Sequence, residues 1–112
     1  MKLITAIIKP MKLDEVCNEL NRLGFVGLTV TEVRGYGRQR GRTDVFRGME
    51  YAVHFLPKLK IEVACTSDQV DQVVEAIIVT AQTGRIGDGK IFISDLGEIV
   101  RIRTRETGPD AI

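Results

Sequence analysis

Two groups of residues in this chain have the types and spacing to do chemistry. Residues 84–90 read GRIGDGK. Gly87 and Gly89 there let backbone N–H groups converge on an anion, and Lys90 adds a charge that meets phosphate. Further on, Arg101 and Arg103 alternate across Ile102. On an extended segment their two guanidinium groups fall on one side, a spacing suited to gripping phosphate oxygens in forked fashion. On sequence alone a plain glycine-rich turn accounts for the first group equally well, and a solvated strand edge accounts for the second rather better.

The first group also satisfies the GxxxxGK core of a Walker A loop, but Ile91 stands where Ser or Thr would hold a magnesium ion. A Walker loop leads from a strand into a helix and sets the helix N-terminus on the phosphates. Here a helical pattern comes first and a strand pattern follows, so the assignment is rejected. Arg34, Gly35, Tyr36 and Gly37 match the first half of the RNP1 consensus, yet Arg38 stands where an aromatic is required. The segments 3–9 and 59–66 contain no stacking aromatic, which leaves an RRM-like RNA-binding module as the minor alternative. His54 is the only histidine, without an identifiable acid–base or metal partner, and GxSxG and HExxH are absent. Enzymatic chemistry therefore lacks its usual material.

The elements that must carry these groups follow from periodicity. Residues 3–9 form a short Ile-rich strand ended by Pro10. Leu13, Val16, Cys17, Leu20 and Leu23 then recur at helical spacing, and Gly24 supplies a stop. Residues 28–33 are a β-branched run. The span 35–50, with four glycines and no apolar period, reads as a loop. Residues 51–55 and 59–66 are extended, with Pro57 marking a break between them, and Tyr51 anchors the return from the loop. Thr66, Ser67 and Asp68 offer capping groups to the helix of Val70, Val73, Val74, Ile77, Ile78 and Ala81. A fourth strand runs 90–96, and 99–104 reads as a further short extended piece.

The order is βαββαβ with a tail, and the stretches 3–20 and 61–78 repeat weakly as strand, polar break and helix. Such a pair gives a ferredoxin-like α+β sandwich, an antiparallel sheet with two helices on one face. The first strand is apolar on both sides, with Ile4, Ala6 and Ile8 on one and Leu3 and Ile7 on the other. Two helices cover one face only, so copies of the chain are expected to bury the second together.

Composition sets the frame. The chain has 112 residues, 44% of them apolar, which suits one domain over 1–112. Sixteen basic and fifteen acidic side chains give a net charge of +1, unlike the basicity of nucleic-acid binders. The opening apolar run is broken at Lys9 and Pro10, too short for a leader's core or a membrane span, so a cytoplasmic protein is expected. Cys17 and Cys65 lie in no CxxC or Cys/His cluster and read as small semi-buried side chains.

Taken together, TVTEVRGYGRQRG, FRGMEY, FLPKLKIEV, TGRIGDGKIF and RIRT closely resemble the PII signal-transduction family across essentially the whole chain. TGRIGDGKIF is the most specific of them. The resemblance implies a ferredoxin-like homotrimer that regulates nitrogen metabolism and whose intersubunit clefts bind ATP or ADP, with 2-oxoglutarate and Mg2+ joining the ATP form. It implies that Gly87, Asp88, Gly89 and Lys90, within a loop at about 82–90, cradle the phosphates. Gly35, Gly37, Arg38 and Gln39 would lie on the same side, with Arg101, Ile102 and Arg103 reaching in from the neighbouring subunit.

By the same resemblance Thr29 and Ala64 lie beside the adenine, Gln39 meets the magnesium, and Lys58, with Gln39 and Gly87, meets the oxoglutarate. The loop at about 37–55 corresponds to the family's T-loop, which contacts partners such as an ammonium channel, a sensor kinase or an adenylyl- or uridylyltransferase. Tyr51 matches the tyrosine uridylylated in many members, and a C-terminal loop spans about 102–112. Phe46, Met49, Ala64 and Arg105 depart from the family pattern, and Met49 excludes serine phosphorylation at its position.

Overall fold

A computed structural model of the chain describes residues 1–36, 43–46, 49–52 and 55–112. Among these described residues six strands and two α-helices follow in the order β1 (Lys2–Ile8), α1 (Leu13–Arg22), β2 (Leu28–Tyr36), β3 (Thr43–Phe46), β4 (Met49–Ala52), β5 (Phe55–Cys65), α2 (Val70–Ala81) and β6 (Lys90–Asp95). The main sheet has the order β2-β5-β1-β6, and every neighbouring pair is antiparallel. This is the ferredoxin-like α+β sandwich, with the two β-α units side by side in its centre.

The alternation read in the sequence decides which face is covered. Ile4, Ala6 and Ile8 of β1 and Ile61, Val63 and Cys65 of β5 are buried against Val16 and Leu20 of α1 and Val73 and Ile77 of α2. Residues of opposite parity, Leu3 and Ile7 with Ala64 and Lys60 opposite them, remain half-buried on the face without helices. Phe92 of β6 belongs to that open face and is half exposed.

Each helix is entered through a 3-10 turn, Pro10–Lys12 before α1 and Ser67–Gln69 before α2. The second carries a capping box between Thr66 and Gln69, which satisfies amides that the helix start leaves unpaired. At the end of α1, Gly24 takes φ +95, its N–H donates to the Asn21 carbonyl at 3.0 Å, and the Phe25 N–H donates to the Leu20 carbonyl at 2.8 Å. That pair of bonds is a Schellman motif, and its apolar contact is Phe25 against Leu20 in the core.

Three readings are corrected. The 35–50 loop contains β3 and β4, paired from Thr43↔Ala52 to Phe46↔Met49, and β2 itself continues to Tyr36. Glycine count had outweighed the β-favouring Thr43, Val45, Phe46 and Tyr51. Pro57 does not break its strand, because β1 pairs with β5 only from Leu59 onward. A residue without an N–H is tolerated where the strand has one neighbour.

The third correction concerns 99–104, which is no extended segment. Residues 102–104 turn, an isolated bridge joins Val100 to Thr107, and Arg105 takes φ 62. Arg101 and Arg103 therefore do not alternate along a strand.

Burial and backbone geometry predict separable costs at the end of α1. Gly24→Ala, with open space around its Cβ but a left-handed φ, is expected to lose about 1 kcal/mol. Leu20→Ala, fully buried, is expected to lose about 2–5 kcal/mol. Urea unfolding of both variants checks the ranking, and equal losses would contradict it.

Candidate functional site

The sheet register brings three segments to one end of the molecule. Ile7 pairs with Lys60 on one side and Lys90 on the other. The residues just past that point, Lys9 after β1, Lys58 on β5 and the turn before β6, must then be neighbours. A Cβ placed on Gly87 would lie 3.2 Å from Lys58 Nζ and 3.6 Å from Lys9 Cε. Two lysines thus flank one glycine.

The turn is built from glycines in the left-handed region. Gly84, Gly87 and Gly89 have φ of 81, 99 and 98. At Gly89 the need is steric as well, because a Cβ would stand 1.6 Å from the Ile7 carbonyl oxygen. β6 can reach its register with β1 only if the backbone passes that close. Gly35 has a related reason for being small, since Lys58 Cγ would lie 3.1 Å from its Cβ.

Asp88 organises the turn. One carboxylate oxygen accepts from the backbone N–H groups of Thr83 at 2.8 Å and Gly84 at 2.9 Å. The other accepts from the Thr83 hydroxyl at 2.5 Å and from Lys9 Nζ at 3.0 Å. Thr83 Oγ1 also accepts from Lys9 Nζ at 3.1 Å and from the Arg85 N–H at 3.2 Å. The Thr83 hydroxyl and backbone N–H, followed by Lys9 and the Gly84 N–H, hold the Asp88 carboxyl well below the usual carboxylate range.

Lys58 is in a different position. Its ammonium donates to the Gly87 carbonyl, a neutral acceptor. Burial and, second, the nearby Lys9 push its pKa below the ordinary lysine value, with Asp88 pulling the other way. Its bond to Gly87 is one that a carboxylate or phosphate oxygen would replace with a stronger, charge-assisted one. The residues present therefore fit an anionic group: two cations at a glycine turn, with Asp88's charge already committed to that turn.

The expected site residues are only partly brought together. Gly35, Lys58, Gly87, Asp88, Gly89 and Lys90 gather at this end of the sheet. Thr29 and Ala64 lie on the same open face toward the other end, with Thr29 opposite Glu62 and Ala64 opposite Leu3. Arg101, Ile102 and Arg103 follow β6, which leaves the sheet beside Lys2. The chain leaves β6 at the end opposite the turn, about 17 Å along the strand. Arg101 pairs with Glu106 at 3.3 Å instead. Gly37, Arg38, Gln39 and His54 lie outside the described residues, and Tyr51 falls in β4 opposite Asp44. Among the described residues no cluster of His, Cys, Asp or Glu could hold a metal ion, and no helix is long and apolar enough to cross a membrane.

Lys9 and Thr83 were not singled out by the sequence reading. The signal was available in the strand order: with β1 beside β6, the residue after β1 meets the residues before β6.

Asp88 makes a pH prediction. Its folded-state pKa is depressed, so its stabilisation is complete above the unfolded carboxyl value of about 3.9 and is lost as pH falls below it toward the folded value. Asp88→Asn is expected to lower stability at neutral pH and to flatten the acid dependence below about pH 4. Thermal melts from pH 7 to 3 check this, and parallel curves for the two proteins would refute it.

Comparison with known proteins shows the family. The family model described as nitrogen regulatory protein P-II matches residues 1–106. Proteins named nitrogen regulatory protein P-II from Pasteurella multocida, Rhizobium etli and Klebsiella oxytoca are 60%, 61% and 58% identical over 112 residues, covering the whole of this chain and the whole of each relative. Matches of that identity along the full length, on a chain whose glycine turn and lysines assemble as described, make it a member of the nitrogen regulatory protein P-II family.

Proposed function

We propose that the chain regulates nitrogen metabolism as a homotrimeric ligand sensor: it binds ATP or ADP in clefts between protomers and reports the occupant through the loop at about 37–55. The observation that carries this reading is the pair Lys9 and Lys58 on either side of Gly87, at the mouth of the open sheet face. The turn at 84–90 takes the phosphates. The open face leads from it to Thr29 and Ala64, where the adenine lies. Gln39 meets a Mg2+ that neutralises phosphate charge when bound, and Lys58 receives a carboxylate of 2-oxoglutarate.

Two observations support a trimer. Leu3, Ile7 and Phe92 leave an apolar stripe on the face that the helices do not cover. β6 leaves the sheet at the end opposite the turn, and Arg101 is held by Glu106 and Ile112 of its own chain, so in this reading the phosphate meets Arg101 and Arg103 from a second copy. Different occupants then stabilise different loop arrangements, and partner choice follows from differential affinity without turnover. The partners are nitrogen-metabolism proteins such as an ammonium channel, a sensor kinase or an adenylyltransferase. Tyr51 on β4 is the acceptor for a uridylyltransferase.

Calorimetry of the full chain tests the site. Lys58→Ala is expected to weaken 2-oxoglutarate, titrated with ATP and Mg2+ present, by about 10- to 100-fold, the value of a hydrogen bond to a charged group. ATP binding alone should stay within a few-fold of wild type. Unchanged oxoglutarate affinity would discard the assignment.

The lowered pKa of Lys58 adds a second expectation. As pH rises, the cation is lost sooner than an ordinary lysine, near 10.4, would lose it. Oxoglutarate affinity should therefore begin to fall in the alkaline interval below the ordinary lysine value. A flat profile through that interval would contradict the role given to this ammonium.

A further inference from the structure

The two tail arginines are not equivalent. Arg101 is engaged on every side: its Nη2 donates to the Ile112 carbonyl at 2.8 Å, its Nη1 lies 3.3 Å from Glu106 Oε1, and its backbone N–H donates to the Glu106 carbonyl at 2.9 Å. Its own carbonyl accepts from the Arg105 N–H at 2.8 Å. Arg105 itself holds φ 62, a region L side chains disfavour. Arg103 is exposed and makes no hydrogen bond or ion pair with a described residue.

A carboxylate resembles a phosphate edge in the features a guanidinium reads, planar oxygens with negative charge that accept its forked donors. Glu106 thus sits where a phosphate oxygen would have to go. An incoming phosphate must displace it or share the fork, and the Arg101–Ile112 bond must adjust as well.

We propose that Glu106 is a built-in competitor for the nucleotide, holding Arg101 in an intrachain latch that sets the affinity of the phosphate site and opens when phosphate replaces its carboxylate. This rests on reading Arg101 as a phosphate ligand. Arg103 has no partner among the described residues to give up, so it contributes its full attraction, while Arg101 contributes only the difference between phosphate and Glu106. The turn 101–106, closed by the left-handed Arg105, is released in the exchange. Occupancy of the cleft is thereby transmitted to the tail by a trade of one anion for another.

A double-mutant cycle read by ATP calorimetry on the full chain, at one fixed salt concentration, tests it. Glu106→Gln should tighten ATP by about two- to fivefold, the scale of an exposed ion pair. In the Arg101→Ala background the same change should do nothing, and Arg103→Ala should weaken ATP more than Arg101→Ala does. Asp110→Asn removes the same charge from the tail without touching Arg101 and should not tighten binding.

If Arg101→Ala weakens ATP while Glu106→Gln leaves it unchanged, the latch is wrong and the phosphate role of Arg101 stands. Equal tightening by Asp110→Asn, or tightening that persists without Arg101, also overturns the latch in favour of a general charge effect. If Arg101→Ala binds ATP as tightly as wild type, the latch and the assignment beneath it fall together.

Discussion

One carboxylate makes this site possible. A turn carrying three left-handed glycines has more backbone freedom than any other stretch of its length, and without restraint it would sample many shapes. Asp88 removes that freedom by binding the chain five residues back, through Thr83, and by binding Lys9 just past the end of β1. The turn is closed on itself and fastened to β1 by the same group. Its ordering entropy is therefore lost on folding, not when a ligand arrives, which is the condition for tight binding by a short backbone cradle.

The same arrangement sorts the charges. Lys9 and Lys58 would repel one another across Gly87, and Lys9 does lower the pKa of Lys58. Asp88 takes Lys9 as its partner and leaves Lys58 with a neutral carbonyl. Of the two cations, the one nearer β2 and the loop that follows it keeps the weaker partner. An acidic residue inside an anion site is usually a liability, but here its oxygens are saturated by four donors and its charge is directed into the turn. The acid supplies shape, and Lys58 keeps a cation beside the turn with only a neutral acceptor.

How much of this was legible follows from sequence separation. Helical spacing located Val16, Leu20, Val73 and Ile77, and strand alternation located Ile4, Ala6, Ile8, Ile61 and Val63, because those signals repeat within a few residues and the core obeys them. The glycine turn was visible as a motif, and its lysine and aspartate with it. Lys9 was not, since its partner lies 79 residues away and only the strand order makes them neighbours. Pro57 looked like a break because a local rule was applied where the strand has a single neighbour. The tail was misjudged for the reverse reason: alternating arginines suggested a strand, while a left-handed Arg105, which no side-chain preference would announce, turned the chain back on itself.

Under the assembly proposed above, topology more than any residue divides the phosphate ligands between protomers. β6 enters the sheet from the glycine turn and leaves at the other end, beside Lys2, so whatever follows it is displaced by the length of the strand. In the proposed assembly Arg101 and Arg103, which follow that exit, are set against the turn of a second copy. In an antiparallel sheet open on one face, the economical way to bring them to a phosphate is to set a second copy against that face, which also covers Leu3, Ile7 and Phe92. On that proposal Arg101 waits for a ligand held largely by another chain, and an interim partner reduces the side-chain entropy it loses on binding. Glu106 fills that place five residues from Arg101, close enough to be present in every protomer and, being solvent-exposed, weak enough to be displaced.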